Sequence, residues 1–367
     1  MKILYDHQIF TLQKYGGISR YFYELVSELD KVFNIKSEVS LLFSNNHYIS
    51  DYKFTDHLNL FPNDNFKGKF RIFNYLNKMN TIFKLKKQNF DIFHPTYYDP
   101  YFLKYLGNKP FVLTVYDMTH EKFQDRIKDA KEISLKKKLL IKKASKIIAI
   151  SNNTKNDLIK ILGVDEKKID VVYLGNSIDP NSSSGKIFKI PKKYLLFVGS
   201  RNRYKNFDKF IKSISGILKN DKELNIVCVG GGKFNDTSVK FFKNLGLSNQ
   251  IKQYDLDDNN LNYFYKNALA FVFPSHYEGF GIPVLESFIC GCPLICSNTS
   301  SLPEIAGDGA YFFDPSSEMS IKNSVLKVID NLYLREDLIN KGYKQVKKFS
   351  WKKTAAQTHK IYENILI

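Results

Sequence analysis

Two carboxylates, Glu278 and Glu286, stand eight residues apart in the stretch PSHYEGFGIPVLE at 274–286, with the turn Gly279-Phe280-Gly281 between them. An apolar run at 270–273 precedes the turn and a helical pattern follows it. Pro283 falls in the first helical turn, where its missing N–H costs nothing. Strand, glycine turn and helix opening together make an anion site, because unpaired backbone N–H groups and the positive helix end converge there. Carboxylates touching the anion itself would repel it. They suit instead the hydroxyls of a ligand that also carries phosphate, as a sugar nucleotide does, with Glu286 one turn into the helix facing the same cleft as Glu278.

Four more stretches fall at the ends of strand-like runs. Gly16 and Gly17, in YGGISR, let backbone approach a ligand before a helix begins, although a glycine pair alone is a weak signal and a tight turn is the simpler explanation. Arg201, Arg203 and Lys205, in GSRNRYKN, put three cations within five residues, enough to neutralise a diphosphate leaving group. Gly230, Gly231 and Gly232 follow the apolar run LNIVCV and clear space for a base or ribose; they do not match G-x-G-x-x-G. Residues 297–301, SNTSS, offer hydroxyls and amides, and Glu304 beyond them either caps a helix or touches ligand.

Strand-like runs at 2–5, 38–43, 91–95, 111–116, 146–150 and 171–174 alternate with helical patterns, and the rhythm restarts at 194–199, 224–230, 250–254, 270–274, 293–297 and 310–313. Strands separated by helices imply parallel sheets covered on both faces, with ligands at the carboxyl ends of the strands. Between the two series, 176–191 is rich in Ser, Pro and Gly and lacks apolar periodicity, which marks a linker. The segment 45–89, rich in Asn, Lys and Phe, reads as a loop followed by one helix near 70–86. The expectation is an α/β chain of two doubly wound Rossmann-like domains facing across a cleft, with boundaries at 1–180 and 181–348, and a helix at 349–367 returning to the first domain.

At 367 residues the chain suits two cores. No apolar run approaches the ~20 residues that span a bilayer, and the N-terminus begins directly as a strand, so neither a transmembrane helix nor a signal peptide is expected. Cys228, Cys290, Cys292 and Cys296 lack zinc-site spacing and fit a reduced, cytoplasmic setting. The net charge of +18 reflects either lysine-rich composition or an acidic partner, such as the inner face of a membrane or a phosphorylated substrate. Its densest run, 136–143, can lie on a membrane or form a solvated helix with one buried face. No helix-turn-helix, zinc-finger or RNA-recognition signature accompanies the charge, which disfavours nucleic acid.

The motif E-G-F-G-I-P-V-L-E at 278–286, with GCPLICSNTSSLPEIAGDGAYFFDP after it, resembles glycosyltransferase family 4, retaining enzymes of the GT-B architecture. YGGISRYFYEL, VYDMTHEKF, IIAISNNTKNDL and FVGSRNRYKNF resemble members that build O-antigen, capsule and other surface polysaccharides. The resemblance implies that Glu278 contacts the donor sugar, Glu286 the ribose hydroxyls and Lys205 the phosphate. The family's usual arginine stands where this chain has Ser200, so Arg201 or Arg203 must substitute. Relatives place a histidine where this chain has Tyr116, which leaves Asp117, His120 and His94 as candidates near the sugar. Gly231, Phe234 and Tyr254 are expected around the base.

These readings imply transfer of a hexose, with GDP-mannose favoured over a UDP-sugar, to a lipid-linked or growing glycan. No cofactor or metal is expected, the Asp255-Leu256-Asp257 stretch being read as helix capping. A sugar-nucleotide epimerase or phosphorylase of the same fold, a noncatalytic sugar-nucleotide binder and a basic nucleic-acid binder are the alternatives.

Overall fold

The computed structural model describes residues 1–49, 57–60, 68–125, 127, 129–182, 188–201, 203–255 and 260–367. Its chain divides into two compact units, Met1–Leu174 with Ser350–Ile367, and Gly175–Phe349. Unit 1 contains β1 (Lys2–Tyr5), β2 (Lys36–Val39), β3 (Ile92–His94), β4 (Val112–Val115), β5 (Lys146–Ala149) and β6 (Ile169–Val171). They pair in parallel as β2-β1-β3 and β4-β5-β6, and a parallel bridge from Phe93 to Phe111 joins the two sheets. Unit 2 contains β7 (Lys193–Val198), β8 (Leu224–Val229), β9 (Ile251–Tyr254), β10 (Ala270–Phe273), β11 (Leu294–Ser297) and β12 (Ala310–Phe313) in one parallel sheet, ordered β12-β11-β10-β7-β8-β9.

Each of the twelve expected runs overlaps a strand, the sixth only at its end, since it runs Ile169–Val171 and not 171–174; central parallel strands covered on both faces are apolar and so readable as runs. Leu195, Ile226, Val272 and Ile295 have no exposed surface. Some ends differ from expectation. The second strand stops at Val39, short of 43, because the Asn77 side-chain oxygen takes the amides of Leu42 and Phe43 at 2.8 and 3.0 Å, leaving them no ladder partner to seek. The helix expected near 70–86 runs Lys69–Lys87, whereas 50–56 and 61–67 lie outside the described residues. The Asp255 capping reading also involves residues outside them, at 256–259. The lysine run at 136–143 falls on the helix Ala130–Lys143 and buries one face, including Leu140 and Ile141. The four cysteines are buried and unpaired, and burial pushes the Cys228 and Cys290 thiols up to about 12.

In each unit the first strand has one neighbour formed early and another formed after the chain has crossed to the far side, so the order reverses beside β1 and beside β7. A crevice opens at the carboxyl end of the sheet at such a point. Supporting the first of these is the helix Trp351–Leu366, whose N-terminus is capped by Ser350 accepting from the Lys353 amide at 3.3 Å. The Tyr362 hydroxyl lies 3.0 Å from that of Tyr5 and 2.6 Å from His94 Nδ1, and His94 Nε2 lies 2.9 Å from Thr114 Oγ1.

His94 is fully buried with both ring nitrogens engaged, and burial lowers its pKa to about 3. The unfolded chain therefore binds a proton that the folded chain refuses between about pH 6.5 and 3. Unit 1 should lose stability as pH falls through that window, at about 1.4 kcal/mol per pH unit from this one group. Trp351, the chain's single tryptophan, is buried in unit 1 and its fluorescence reports the unfolding. Urea titrations followed by that signal should show a pH dependence about one proton shallower in His94→Gln. An equal slope in both proteins would mean that His94 is protonated in the fold.

Candidate functional site

The crevice of unit 2 is framed by the loops after β7 and β10, the two strands that flank the reversal of order. Lys205 comes from the first loop and Glu278 from the second, and their side chains meet at 2.6 Å. Both are mostly covered, with 15% and 13% of their side-chain surface left exposed, so solvent reaches the edge of the pair. The Lys205 ammonium also sits 5.4 Å from the ring centres of Tyr204 and Phe273. The backbone of the two loops is joined by the His276 amide, which donates to the Tyr204 carbonyl at 2.8 Å.

The loop after β11 holds Glu278 from the other side. The Glu278 amide donates to Ser300 Oγ at 3.0 Å, and the Ser301 hydroxyl lies 2.9 and 2.8 Å from the Glu278 and Phe280 carbonyls. Ser300 takes a left-handed backbone, φ +55°, to make this turn. Gly281 starts the helix Ile282–Ile289 at φ +102°, and a Cβ there would come within 2.9 Å of Leu302 Cδ2, so glycine is required on two grounds. Phe280 is buried and packs edge-on to Phe349 at 5.9 Å.

Glu286 lies one turn into that helix and is buried, 5% exposed, where the Tyr265 hydroxyl donates to its Oε2 at 3.0 Å. Burial and the Glu286 charge push the Tyr265 pKa well above the ordinary tyrosine value, so the phenol stays a donor. The two glutamates thus have different settings. One carboxylate is ion-paired and partly exposed, and the other is held by a buried phenol.

Arg201 is engaged with backbone of the glycine loop. Its guanidinium donates to the carbonyls of Gly230 at 2.9 Å, Gly231 at 3.0 Å, Gly232, and Lys233 at 3.4 Å, and stacks 4.7 Å from the Phe234 ring centre. Gly230, Gly231 and Gly232 have φ of +77°, +72° and +73°, which turns three successive carbonyls toward one fork. A Cβ on Gly231 would lie 2.7 Å from the Gly199 carbonyl oxygen. Arg203 opens the turn Arg203–Lys205, and its side chain lies outside what the structure describes. Tyr254 donates to the Lys189 carbonyl at 2.8 Å.

In unit 1, the crevice beside β1 is occupied by Asp6, a residue sequence reasoning passed over although an acid directly after an apolar strand was visible. Its carboxylate accepts from the Thr96 amide at 2.8 Å, Thr96 Oγ1 at 2.7 Å, Gln8 Nε2 at 2.6 Å and Tyr101 OH at 3.3 Å, and burial raises its pKa. Gly16 precedes the helix Gly17–Phe33 with φ 170°, extended backbone that any residue adopts, and both glycines serve here as a helix start. His94 and Tyr116 are committed internally: the Tyr116 hydroxyl donates to the Thr96 carbonyl at 3.1 Å, and burial raises its pKa far out of a base's range.

Asp117 accepts from the Thr119 amide at 2.8 Å, and its own carbonyl takes the Lys137 ammonium at 2.9 Å. Lys137 and Glu121 form a second ion pair, 2.9 Å, with essentially no exposed side chain. His120 is half-buried between these groups; burial, then Lys137, lowers its pKa, and among the described residues its Nδ1 has no hydrogen-bond partner. The imidazole is therefore neutral near pH 7. Among the described residues, no three His, Cys, Asp or Glu side chains group as a metal site.

Two family models match the chain: Glycosyltransferase Family 4 over residues 15–180, and Glycosyl transferases group 1 over 182–345. The O-antigen chain mannosyltransferase B of Escherichia coli is 28% identical over 231 residues, 60% of this chain and 61% of that protein. Among the first curated relatives the aligned share of their own length is between 53% and 64%. Two solved structures share the fold along the whole chain: sucrose-phosphate synthase from Thermosynechococcus elongatus, with TM-score 0.77, 16% identity and 99% and 98% coverage, and Anabaena HepE with UDP and glucose, with TM-score 0.74, 16% identity and 99% coverage of each chain. Both are GT-B glycosyltransferases in architecture, the two-domain α/β fold to which this chain conforms.

Arg201→Lys keeps the charge and loses the planar fork that spans several carbonyls. Backbone amide exchange at 230–234 should then accelerate roughly tenfold, the equivalent of about 1.4 kcal/mol of local protection. Exchange unchanged from the parent would mean that the glycine loop holds its shape without the guanidinium.

Proposed function

This chain belongs to Glycosyltransferase Family 4 across its first half and to the group 1 glycosyl transferases across its second, and from that premise we propose that it transfers a hexose from a nucleotide diphosphate sugar to a hydroxyl of a lipid-linked or growing surface glycan. The observation that carries the proposal is the Lys205–Glu278 pair, 2.6 Å apart at the strand-order reversal of unit 2, with Glu286 one helical turn beyond. In this reading the Lys205 ammonium turns toward the diphosphate when donor binds, Glu278 accepts from sugar hydroxyls, and Glu286 accepts from the ribose.

The bond from the anomeric carbon to the phosphate oxygen breaks with its electron pair on the phosphate, and the acceptor oxygen bonds the same carbon from the same face, with retention. The acceptor's proton leaves on the departing phosphate, so no protein base is required. Positive charge belongs at the phosphates, where negative charge grows, and Lys205 meets that demand without a metal. Arg201, bound to carbonyls, acts by holding the loop beside the base. For unit 1 we propose that Asp117 fixes a sugar hydroxyl and that neutral His120 accepts a hydrogen bond at Nδ1.

GDP-mannose is the favoured donor, supported by the mannosyltransferase relatives at 28% and 29% identity. A UDP-sugar is second, since HepE is seen with UDP and glucose. A thermal-shift panel of nucleotide sugars tests the order: a donor at about a hundred times its Kd adds about 2.7 kcal/mol of stability. Glu286→Ala should abolish measurable donor use, and Glu278→Ala should lower kcat more than nucleotide affinity. Initial rates unaltered in both would overturn the site. Donor consumption without any acceptor would instead favour an epimerase or hydrolase. Turnover that EDTA removes and a divalent cation restores would overturn the metal-free mechanism.

A further inference from the structure

Among the lysines of the run 136–143, Lys137 alone has no exposed side-chain surface, and its partner Glu121, 2.9 Å away, is 2% exposed. Taking an ammonium and a carboxylate out of water is expensive, and apolar residues of like volume are often as stable in their place. A pair kept for stability alone would also satisfy both carboxylate oxygens. Glu121 Oε1 is instead buried with no hydrogen-bond partner among the described residues. What the pair does is hold the ammonium in one place.

The Lys137 ammonium also donates to the Asp117 carbonyl at 2.9 Å and stands 5.0 Å from the centre of the Tyr98 ring. The Tyr98 hydroxyl in turn accepts from the Tyr116 amide at 3.3 Å. One cation, brought by the helix Ala130–Lys143, therefore ties the two residues that follow β4, Asp117 directly and Tyr116 through Tyr98. The loop they open cannot set its own shape. Its helix, Thr119–Lys122, has four residues and no side-chain cap at Met118, and a single turn is unstable by itself. Asp117 Oδ1 orders the turn locally through the Thr119 amide at 2.8 Å, and at the far end Lys122 pairs with Asp157 at 2.7 Å. Between these ties lie Asp117 and His120. The Asp117 carbonyl and carboxylate share one Cα, so holding the carbonyl also restricts where the carboxylate points, and His120 follows in the same turn. Groups that meet a substrate must be held to a fraction of an ångström, and a displacement of about 1 Å can cost on the order of a hundredfold.

We propose, on the roles given above to Asp117 and His120, that Lys137 is a positioning residue for sugar recognition: fixed by Glu121, its ammonium holds the Asp117 carbonyl and so sets the directions of the Asp117 carboxylate and the His120 imidazole. A phosphate-binding role suits Lys137 poorly, because its ammonium has no exposed surface and a carboxylate already beside it.

Calorimetric titration of the full chain with GDP, GDP-mannose, UDP and UDP-glucose tests this. The bare nucleotide reports contacts in unit 2, and the same nucleotide carrying its sugar adds what Asp117 and His120 hold. The double variant Glu121→Leu, Lys137→Met removes both charges together and strands neither, so it should unfold at the parent's urea midpoint. Its affinity for the preferred nucleotide should equal the parent's, while its affinity for the matching nucleotide sugar falls roughly tenfold. Asp117→Asn should show the same split, and Glu121→Gln, which still accepts from Lys137, should keep most of the sugar affinity. If the apolar pair does not fold, Glu121→Gln, Lys137→Gln, with a side chain at 137 shorter than lysine's, carries the same expectation. Sugar affinity kept in the folded double variant and lost in Asp117→Asn would overturn this proposal alone. An equal fall for nucleotide and nucleotide sugar would also sink it, since the pair would then support the fold and not the site. Unaltered sugar affinity in both Asp117→Asn and His120→Asn would remove the roles of those residues and this proposal with them. A parent that binds none of the four compounds would remove the sugar-nucleotide reading as well.

Discussion

The structure is organised by the reversal of strand order in each parallel sheet. Parallel strands end together, and where the order reverses the connecting loops part to opposite sides, leaving side chains from two loops to meet over a gap that no connection crosses. Unit 1 fills that place with Asp6, from the loop after β1, accepting from Thr96, from the loop after β3. Unit 2 fills the equivalent place with Lys205 and Glu278, from the loops after β7 and β10. One crevice is closed by a saturated buried carboxylate, and the other is left with an ion pair that meets solvent at its edge. The same topology, given different residues in the loops beside the reversal, makes a buried strut in one unit and a partly exposed charge pair in the other.

The supports around the ion pair are of three kinds. Backbone ties set the loops, as between His276 and Tyr204. Hydroxyls of Ser300 and Ser301 satisfy amides and carbonyls that a short loop cannot satisfy itself. Arg201 shapes the neighbouring glycine loop by drawing carbonyls to one cation. Each spends a polar group on holding backbone, so the setting of the ion pair is fixed in advance.

Much of this was legible in order along the chain. Strand positions were readable because both faces of a parallel sheet are covered, and the glutamate turn was readable because glycine and proline mark its geometry. What escaped reading depends on partners remote in sequence. The amides at 42 and 43 leave the ladder for a side chain 34 or 35 residues away. Lys137 looked like one more solvated lysine, and only the fold shows it buried against Glu121. The contact of Arg201 with the glycine loop escaped because its fork and the three glycines are 29 to 31 residues apart, and nothing local says that they meet.

The hydrogen bond from His94 to Tyr362 has a consequence in time. The two residues are separated by 268 positions, and unit 2 lies between them in the chain. At a synthesis rate of roughly 5–20 residues per second, His94 waits on the order of 13 to 54 s for its phenol partner. Through that interval the groove between β1, β3 and the helix Gly17–Phe33 holds a buried-type imidazole and several tyrosines with no cover, while all of unit 2 has time to emerge and fold. The first unit to begin is the last to be completed, and in a cell its open groove is where a chaperone would find the nascent chain.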